Sequence, residues 1–276
     1  MKISLGFSTC PNDTFIFDAL VNGKIDSEGL EFEPYLTDVE DLNLLAFKGE
    51  LDVTKISYHA WLHVWKMYRI LDSGSALGKG SGPVLVAKNQ CLDPRYLSLT
   101  VAIPGEYTTA NMLLRMAYPN IKEKKIFVFS DIEQAVLDGQ ADAGLLIHEN
   151  RFTYEKKGLV LLRDLGQFWE ETAKAPIPLG GIMVHRRLPK EVIEKINRLV
   201  RKSLEYAFQY PEGTVGYMKK FAQSMEQDVL EAHLKTFVNE YSLELGVEGK
   251  RAIQILIDKS TEAGLINDVP EDYFVI

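Results

Sequence analysis

The sequence predicts an α/β protein made of two lobes that share a cleft, and three observations predict it. Short apolar runs alternate with amphipathic segments of helical length, the pattern of βαβ units and a mostly parallel sheet. The pattern restarts midway. Lys48-Gly49-Glu50-Leu51-Asp52-Val53 is paralleled by Asp138-Gly139-Gln140-Ala141-Asp142-Ala143, and a strand–turn–helix over residues 5–14 by another over 101–109. Finally, 276 residues of which 46% are hydrophobic and 25% charged suit one large globular domain or two small ones. In each half a helix ends at Gly and an Asp-containing turn feeds a buried strand. Turn chemistry alone would give such likeness too; we read a pair of similar lobes.

Residues 3–7 form the first expected strand, and Pro11-Asn12-Asp13-Thr14 opens a helix through residue 20 that Gly23 stops. Residues 30–35 are a strand, 39–47 a helix ending at Gly49, 53–57 a third strand and 58–67 a Trp-rich helix. After an apolar run at 84–87, strands over 99–103, 126–129 and 143–147 are separated by helices over 108–118 and 132–137. A strand over 181–185 then precedes helices over 189–210, 228–240 and 249–263. The expected lobes are residues 1–89 with 186–276, and 90–185, the chain returning near 183–188. Ligands in open α/β sheets sit outside the carboxyl ends of the strands. The turns after Phe7, Ser57, Ile103 and Ile147 are therefore expected to line the cleft.

Composition narrows the partners. With 31 Lys plus Arg against 39 Asp plus Glu, the net charge is −8 and no long basic run exists, which argues against nucleic acid. A small anion remains possible, since a few local donors can hold one. Cys10 and Cys91 are the only cysteines and form no CxxC pair, so neither a disulfide framework nor a cysteine zinc site is expected. No apolar run reaches the ~18 residues of a membrane span. Phe7-Ser8-Thr9-Cys10 superficially matches a lipoprotein cleavage box, but Ser4 and Gly6 interrupt the apolar stretch a signal requires. A first strand in a cytoplasmic protein is the expectation.

The cleft turns carry the reactive types. Ser8 to Thr14 supplies hydroxyls, an amide and a helix start. Thr108 and Thr109 stand where a helix begins, with unpaired N–H groups and the positive dipole end available to a carboxylate; one Thr could equally act as a cap alone. Lys55 follows apolar neighbours, so it either points inward beside an anion or lies in solvent. His148 is the one histidine at a strand's carboxyl end in the cleft. It suits a general base near neutral pH, although a lone histidine is more often structural. Glu149 and Arg151 either orient it or face solvent.

Several look-alikes carry nothing. Gly74-Ser75-Ala76-Leu77-Gly78-Lys79-Gly80 lacks the spacing and the Ser/Thr of a phosphate loop. His148-Glu149-Asn150-Arg151-Phe152 lacks the second His of a zinc HExxH, and His59 and His63, four apart on a helix, have no third ligand. There is no GxSxG elbow.

Five stretches together resemble the 1,4-dihydroxy-6-naphthoate synthases of menaquinone biosynthesis. They are Ser8-Thr9-Cys10-Pro11-Asn12-Asp13-Thr14-Phe15-Ile16-Phe17, Thr54-Lys55-Ile56-Ser57-Tyr58, Gly74-Ser75-Ala76-Leu77-Gly78, His148-Glu149-Asn150-Arg151-Phe152-Thr153-Tyr154 and Pro178-Leu179-Gly180-Gly181. The resemblance runs in order over nearly the whole chain, and the sister family of chorismate dehydratases shares its fold. It implies a type II periplasmic-binding-protein fold kept inside the cell. It also implies substrate contacts at Lys55, Ile56, Ser57, Thr108 and Thr109, and a catalytic base at His148. The implied reaction acts on cyclic dehypoxanthine futalosine, a small carboxylate. Proton removal from a sugar hydroxyl breaks a C–C bond in retro-aldol fashion, and aromatisation supplies the drive. No cofactor, metal, membrane or protein partner is implied. The competing readings are chorismate dehydratase and a non-catalytic small-carboxylate-binding protein.

Overall fold

Two sheets organise the chain, and the strands over residues 53–57 and 143–146 are buried along their whole length. The computed structural model describes residues 1–89, 93, 98–221, 227–268 and 270–275; Cys91 lies outside them. In chain order the elements are β1 (Lys2–Phe7), α1 (Pro11–Val21), β2 (Glu31–Leu36), α2 (Val39–Lys48), β3 (Val53–Ser57), α3 (Tyr58–Val64), β4 (Tyr68–Ile70), β5 (Ala76–Gly78) and β6 (Val84–Ala87). There follow β7 (Val101–Ile103), α4 (Thr109–Ala117), β8 (Lys124–Ile126), α5 (Ile132–Leu137), β9 (Ala143–Leu146), β10 (Val160–Asp164), α6 (Leu165–Ala173) and β11 (Ile177–His185). The last are α7 (Lys190–Gln209), α8 (Pro211–Phe221), α9 (Gln227–Phe237), α10 (Glu240–Leu243) and α11 (Gly246–Glu262).

The first sheet has the order β2-β1-β3-β11-β4, with β5 also paired to β11. The second has the order β10-β6-β9-β7-β8. Each lobe therefore has its own sheet, as expected. The sheets are mixed, however, rather than mostly parallel. β1 pairs parallel with β2 and β3, and β7 with β8 and β9. β11 runs antiparallel to β3, β4 and β5, and β6 antiparallel to β9 and β10. The physical reason is the crossover: β6 carries the chain into the second sheet and β11 carries it back, and neither is joined to its neighbour by the helical connection that parallel pairing needs.

Residues 84–87 pair within the second sheet and residues 177–185 within the first. The expected strand over 126–129 is instead β8 followed by a 3₁₀ turn at Phe129–Asp131. Trp-rich α3 stops at Val64, short of the expected residue 67.

Helix α1 shows how the first lobe is held. All its residues from Pro11 to Leu20 are buried, which marks a helix enclosed on every side rather than lying on a surface. Phe17 meets Phe7 of β1 with ring centroids 4.7 Å apart. Ser203 of α7 donates to the Ile16 carbonyl at 2.6 Å. α7 itself is amphipathic, turning Ile193, Ile196, Val200, Leu204 and Ala207 inward at helical spacing. The start of the chain's first helix, which faces the cleft, thus sits on a rigid support. At the crossover, Gly82 lies so close to Gly166 that a Cβ on Gly82 would stand 2.6 Å from the Gly166 Cα. Glycine at both positions lets the segment before β6 pack directly on the first turn of α6.

Candidate active site

Between the sheets lies a cavity lined from both lobes. Lys55, Ile56, Ser57, Thr108, Thr109 and His148 all line it, so residues from both lobes that are distant in sequence converge as expected.

Strand β3 supplies the first three. Lys55 points inward, and its anion is Asp13 in the first turn of α1: Lys55 Nζ is 3.1 Å from Asp13 Oδ1, and both side chains are buried. Asp13 is itself tied to the turn after β1. Its Oδ2 accepts from the Ser8 N–H at 3.1 Å and from Ser8 Oγ at 2.7 Å. Ser57 is held from α2, where Asn43 Oδ1 accepts its N–H at 3.0 Å. Asn43 in turn donates to Glu40 Oε2 at 2.9 Å, and Glu40 Oε1 accepts the Tyr107 N–H at 3.0 Å. Burial raises the Glu40 carboxyl above its usual range. One buried carboxylate therefore links the first lobe to the loop that precedes α4. Opposite Ile56, strand β11 approaches through Gly180 and Gly181; a Cβ on Gly181 would lie 2.8 Å from Tyr58 Oη.

The threonines both have structural partners. Thr108 caps α4, its Oγ1 accepting the Asn111 N–H at 3.2 Å and donating to the Gly105 carbonyl at 2.9 Å. Thr109 Oγ1 donates to the Leu179 carbonyl at 2.7 Å. Capping is therefore real, and it leaves the first-turn N–H groups of α4 beside the cavity, where an anionic oxygen is favoured. His59 is a buried structural histidine. Its Nδ1 lies 3.2 Å from the Thr108 carbonyl, and burial pushes its pKa down to about 3. The ring is neutral, and Nδ1 carries the donated proton.

His148 opens a 3₁₀ turn, His148–Phe152, immediately beyond β9 and Ile147. Its backbone φ is +55°, a left-handed conformation that costs a residue other than glycine about 1–3 kcal/mol and recurs at functional sites. The turn is anchored from behind: Asn150 donates to Glu133 Oε2 of α5 at 2.9 Å, and Lys157 reaches the same oxygen at 2.6 Å. Arg151 points inward rather than to solvent, bonding the Gly82 carbonyl and lying 3.1 Å from Asp164, which caps α6. The His148 ring stacks edge-on to Phe129, centroids 4.8 Å apart. Its Nε2 is buried and makes no hydrogen bond.

Three cavity residues escaped the sequence reading as site members. Cys10 donates from Sγ to Asn12 Oδ1 at 2.6 Å, and burial pushes its thiol pKa up, with Asp13 adding to the effect. His233 of α9 lies with Nε2 3.1 Å from the same Asn12 oxygen. Burial, followed by the nearby His148, drives the His233 pKa well down. Asp13 is the third. The motif Cys10-Pro11-Asn12-Asp13 pointed to two of these, but a lone histidine in the C-terminal helices carried no signal. One ligating atom each from Cys10, His148 and His233 lies within 4.8 Å of the others. Folding thus brings a cysteine to two histidines that are far from it in sequence.

A family profile described as menaquinone biosynthesis matches residues 3–262. The chain is 43% identical over 275 residues to a Thermus thermophilus protein named 1,4-dihydroxy-6-naphtoate synthase, covering 99% of each. It is 38% identical over 269 residues to a Streptomyces coelicolor protein of the same name, covering 96% of this chain and 94% of that one. A solved Candida albicans structure, described as exhibiting the generic periplasmic binding protein fold, superposes with a TM-score of 0.68 at 12% identity. That match covers 97% of this chain and 92% of the other, and it supports the fold alone. Among the described residues, no helix is long and apolar enough to cross a membrane.

Proposed function

The chain belongs to the menaquinone-biosynthesis family, and on that premise we propose that it is the lyase converting cyclic dehypoxanthine futalosine to 1,4-dihydroxy-6-naphthoate, with His148 as base. The observation that carries this reading is the His148 Nε2, buried at the cavity wall with no protein partner and held on a strained, anchored backbone. A buried ring nitrogen left unpaired is costly, so it is explained best by a proton supplied from outside the protein.

In this reading the imidazole takes the proton of a hydroxyl on the sugar-derived ring. The alkoxide becomes a carbonyl as the neighbouring C–C bond breaks. The released electron pair passes into the ring system that aromatises, and the proton returns from the imidazolium to an oxygen of that product. A positioned base of this kind is worth ~10²–10⁴-fold. The first-turn N–H groups of α4 receive the carboxylate. Lys55 has three donors, of which Asp13 engages one, and the others face developing negative charge on oxygen. Because Asp13 balances its charge, Lys55 stays in the low-dielectric cavity without displacing the substrate's own carboxylate from α4.

Offering purified protein cyclic dehypoxanthine futalosine and chorismate in separate reactions tests the assignment. Release of dihydroxynaphthoate from the first alone is the expected result. Formation of enolpyruvyl-benzoate from the second would identify the sister reaction, and binding without turnover of either would identify a carboxylate-binding protein.

A further inference from the structure

We propose that Cys10, His148 and His233 form a zinc site that bridges the two lobes and, when filled, holds the enzyme inactive. The three residues come from separate parts of the fold. Cys10 lies between β1 and α1 of the first lobe, His148 follows β9 of the second, and His233 sits on α9. Their ligating atoms already lie within 4.8 Å of one another. A tetrahedral zinc with bonds of ~2.0–2.1 Å to nitrogen and ~2.3 Å to sulfur places its ligands ~3.3–3.6 Å apart, so side-chain adjustments of about 1 Å complete the site.

A further feature points to an ion. His233 is 1% exposed, and its Nδ1 is buried with no hydrogen-bond partner. Asn12 Oδ1 is an acceptor, so the His233 Nε2 beside it carries the proton and Nδ1 keeps a lone pair. A ligating histidine ordinarily donates its other ring N–H to an oxygen that fixes the tautomer, and Asn12 fills that role here. The same Asn12 oxygen accepts from the Cys10 thiol, so the group that gives up its proton to bind zinc already sits beside the amide that orients His233. Cysteine with two histidines is a donor set that zinc favours.

On binding, the Cys10 S–H bond breaks, its proton leaves to solvent, and the thiolate electron pair forms the bond to zinc. The two imidazoles enter as neutral ligands, so the site carries a net single positive charge with a fourth position open to the cavity. Occupation would tether the lobes together and engage the His148 imidazole. The inhibitory consequence rests on His148 being the base; the binding itself does not.

The test uses the tag-free full chain, stripped with a chelator and titrated with Zn²⁺ alone against a chromophoric competitor. One equivalent should bind at micromolar or lower free zinc. Cys10→Ser and His233→Gln should each weaken binding by about tenfold or more, with circular dichroism showing both variants folded. Cobalt in place of zinc should show a thiolate-to-metal charge-transfer band that Cys10→Ser abolishes. Absence of stoichiometric binding, equal affinity in Cys10→Ser, or a cobalt spectrum without that band would each overturn the site. Turnover is measured alongside. Zinc bound with turnover undiminished would overturn the inhibitory role and remove His148 as base. A His148 variant without turnover in a protein that binds no zinc would overturn the site and keep His148 as base.

Discussion

The ion pair between Lys55 and Asp13 makes a demanding quantitative prediction. Its partners are 3.1 Å apart with side chains 7% and 4% exposed, so neither charge has water to fall back on. Removing one partner of such a pair typically costs about 3–5 kcal/mol, because the other charge is left buried and unbalanced. The two single variants should not be equal. In Lys55→Met, the Asp13 carboxylate keeps the Ser8 N–H, the Ser8 hydroxyl and the Asn12 amide as donors, which places the loss near about 3 kcal/mol. In Asp13→Asn, the buried ammonium loses its counter-charge, and the loss should approach about 5 kcal/mol. The double variant removes both charges and should lie within about 2 kcal/mol of the parent. Urea unfolding of all four proteins measures the cycle, and a chain of this size shifts its Tm by about 2 °C per kcal/mol. One molar salt should change the coupling little, since buried pairs are poorly screened. Single-variant losses below about 1 kcal/mol, or losses that simply add, would show that the pair is not the desolvated unit described here.

Further outcomes follow from the same geometry. His59 is neutral when folded, with its pKa pushed to about 3 by burial. The unfolded chain therefore binds a proton that the folded one refuses, and stability present above pH ~6.5 is lost as the pH falls toward 3, by about 1.4 kcal/mol per unit. His59→Gln should flatten that acid limb in a pH series of denaturant titrations. Thr108→Ala removes the cap on Asn111 and should cost about 1 kcal/mol, with KM rising more than kcat falls in steady-state assays. Gly82→Ala drives a methyl against the Gly166 backbone. It should cost about 1–3 kcal/mol and lower the Tm accordingly.

Much of this architecture could be read from residue order because its signals are local. The apolar runs of β1, β3 and β9, the Pro11 helix start and the Gly49 stop depend on neighbours a few residues away. That Lys55, Ile56, Ser57, Thr108, Thr109 and His148 would line the cavity was legible for the same reason, since they stand at strand ends or a helix start. Residues 84–87 and 181–185 showed as an apolar run and a strand, but β10 and the first residues of β11 did not. β10 mixes Arg163 and Asp164 with leucines and shows no clean alternation, while β11 begins with a Pro-Leu-Gly-Gly run that reads as a turn. Their strand character comes from partners across the sheet. Asp13 as the counter-ion of Lys55 joins positions 42 apart, and His233 meets Asn12 across a separation of 221. No local pattern marks such contacts. The first exists because β3 pairs beside β1, from which α1 springs, and the second because α9 packs against α1.

The central claim is that the unpaired His148 nitrogen does the proton transfer. Single-turnover conversion of cyclic dehypoxanthine futalosine by His148→Asn, with substrate affinity measured independently on the same preparation, addresses it directly. The account predicts a rate lowered by about 10²–10⁴-fold with affinity nearly intact. A variant that turns over at close to the parent rate would contradict it.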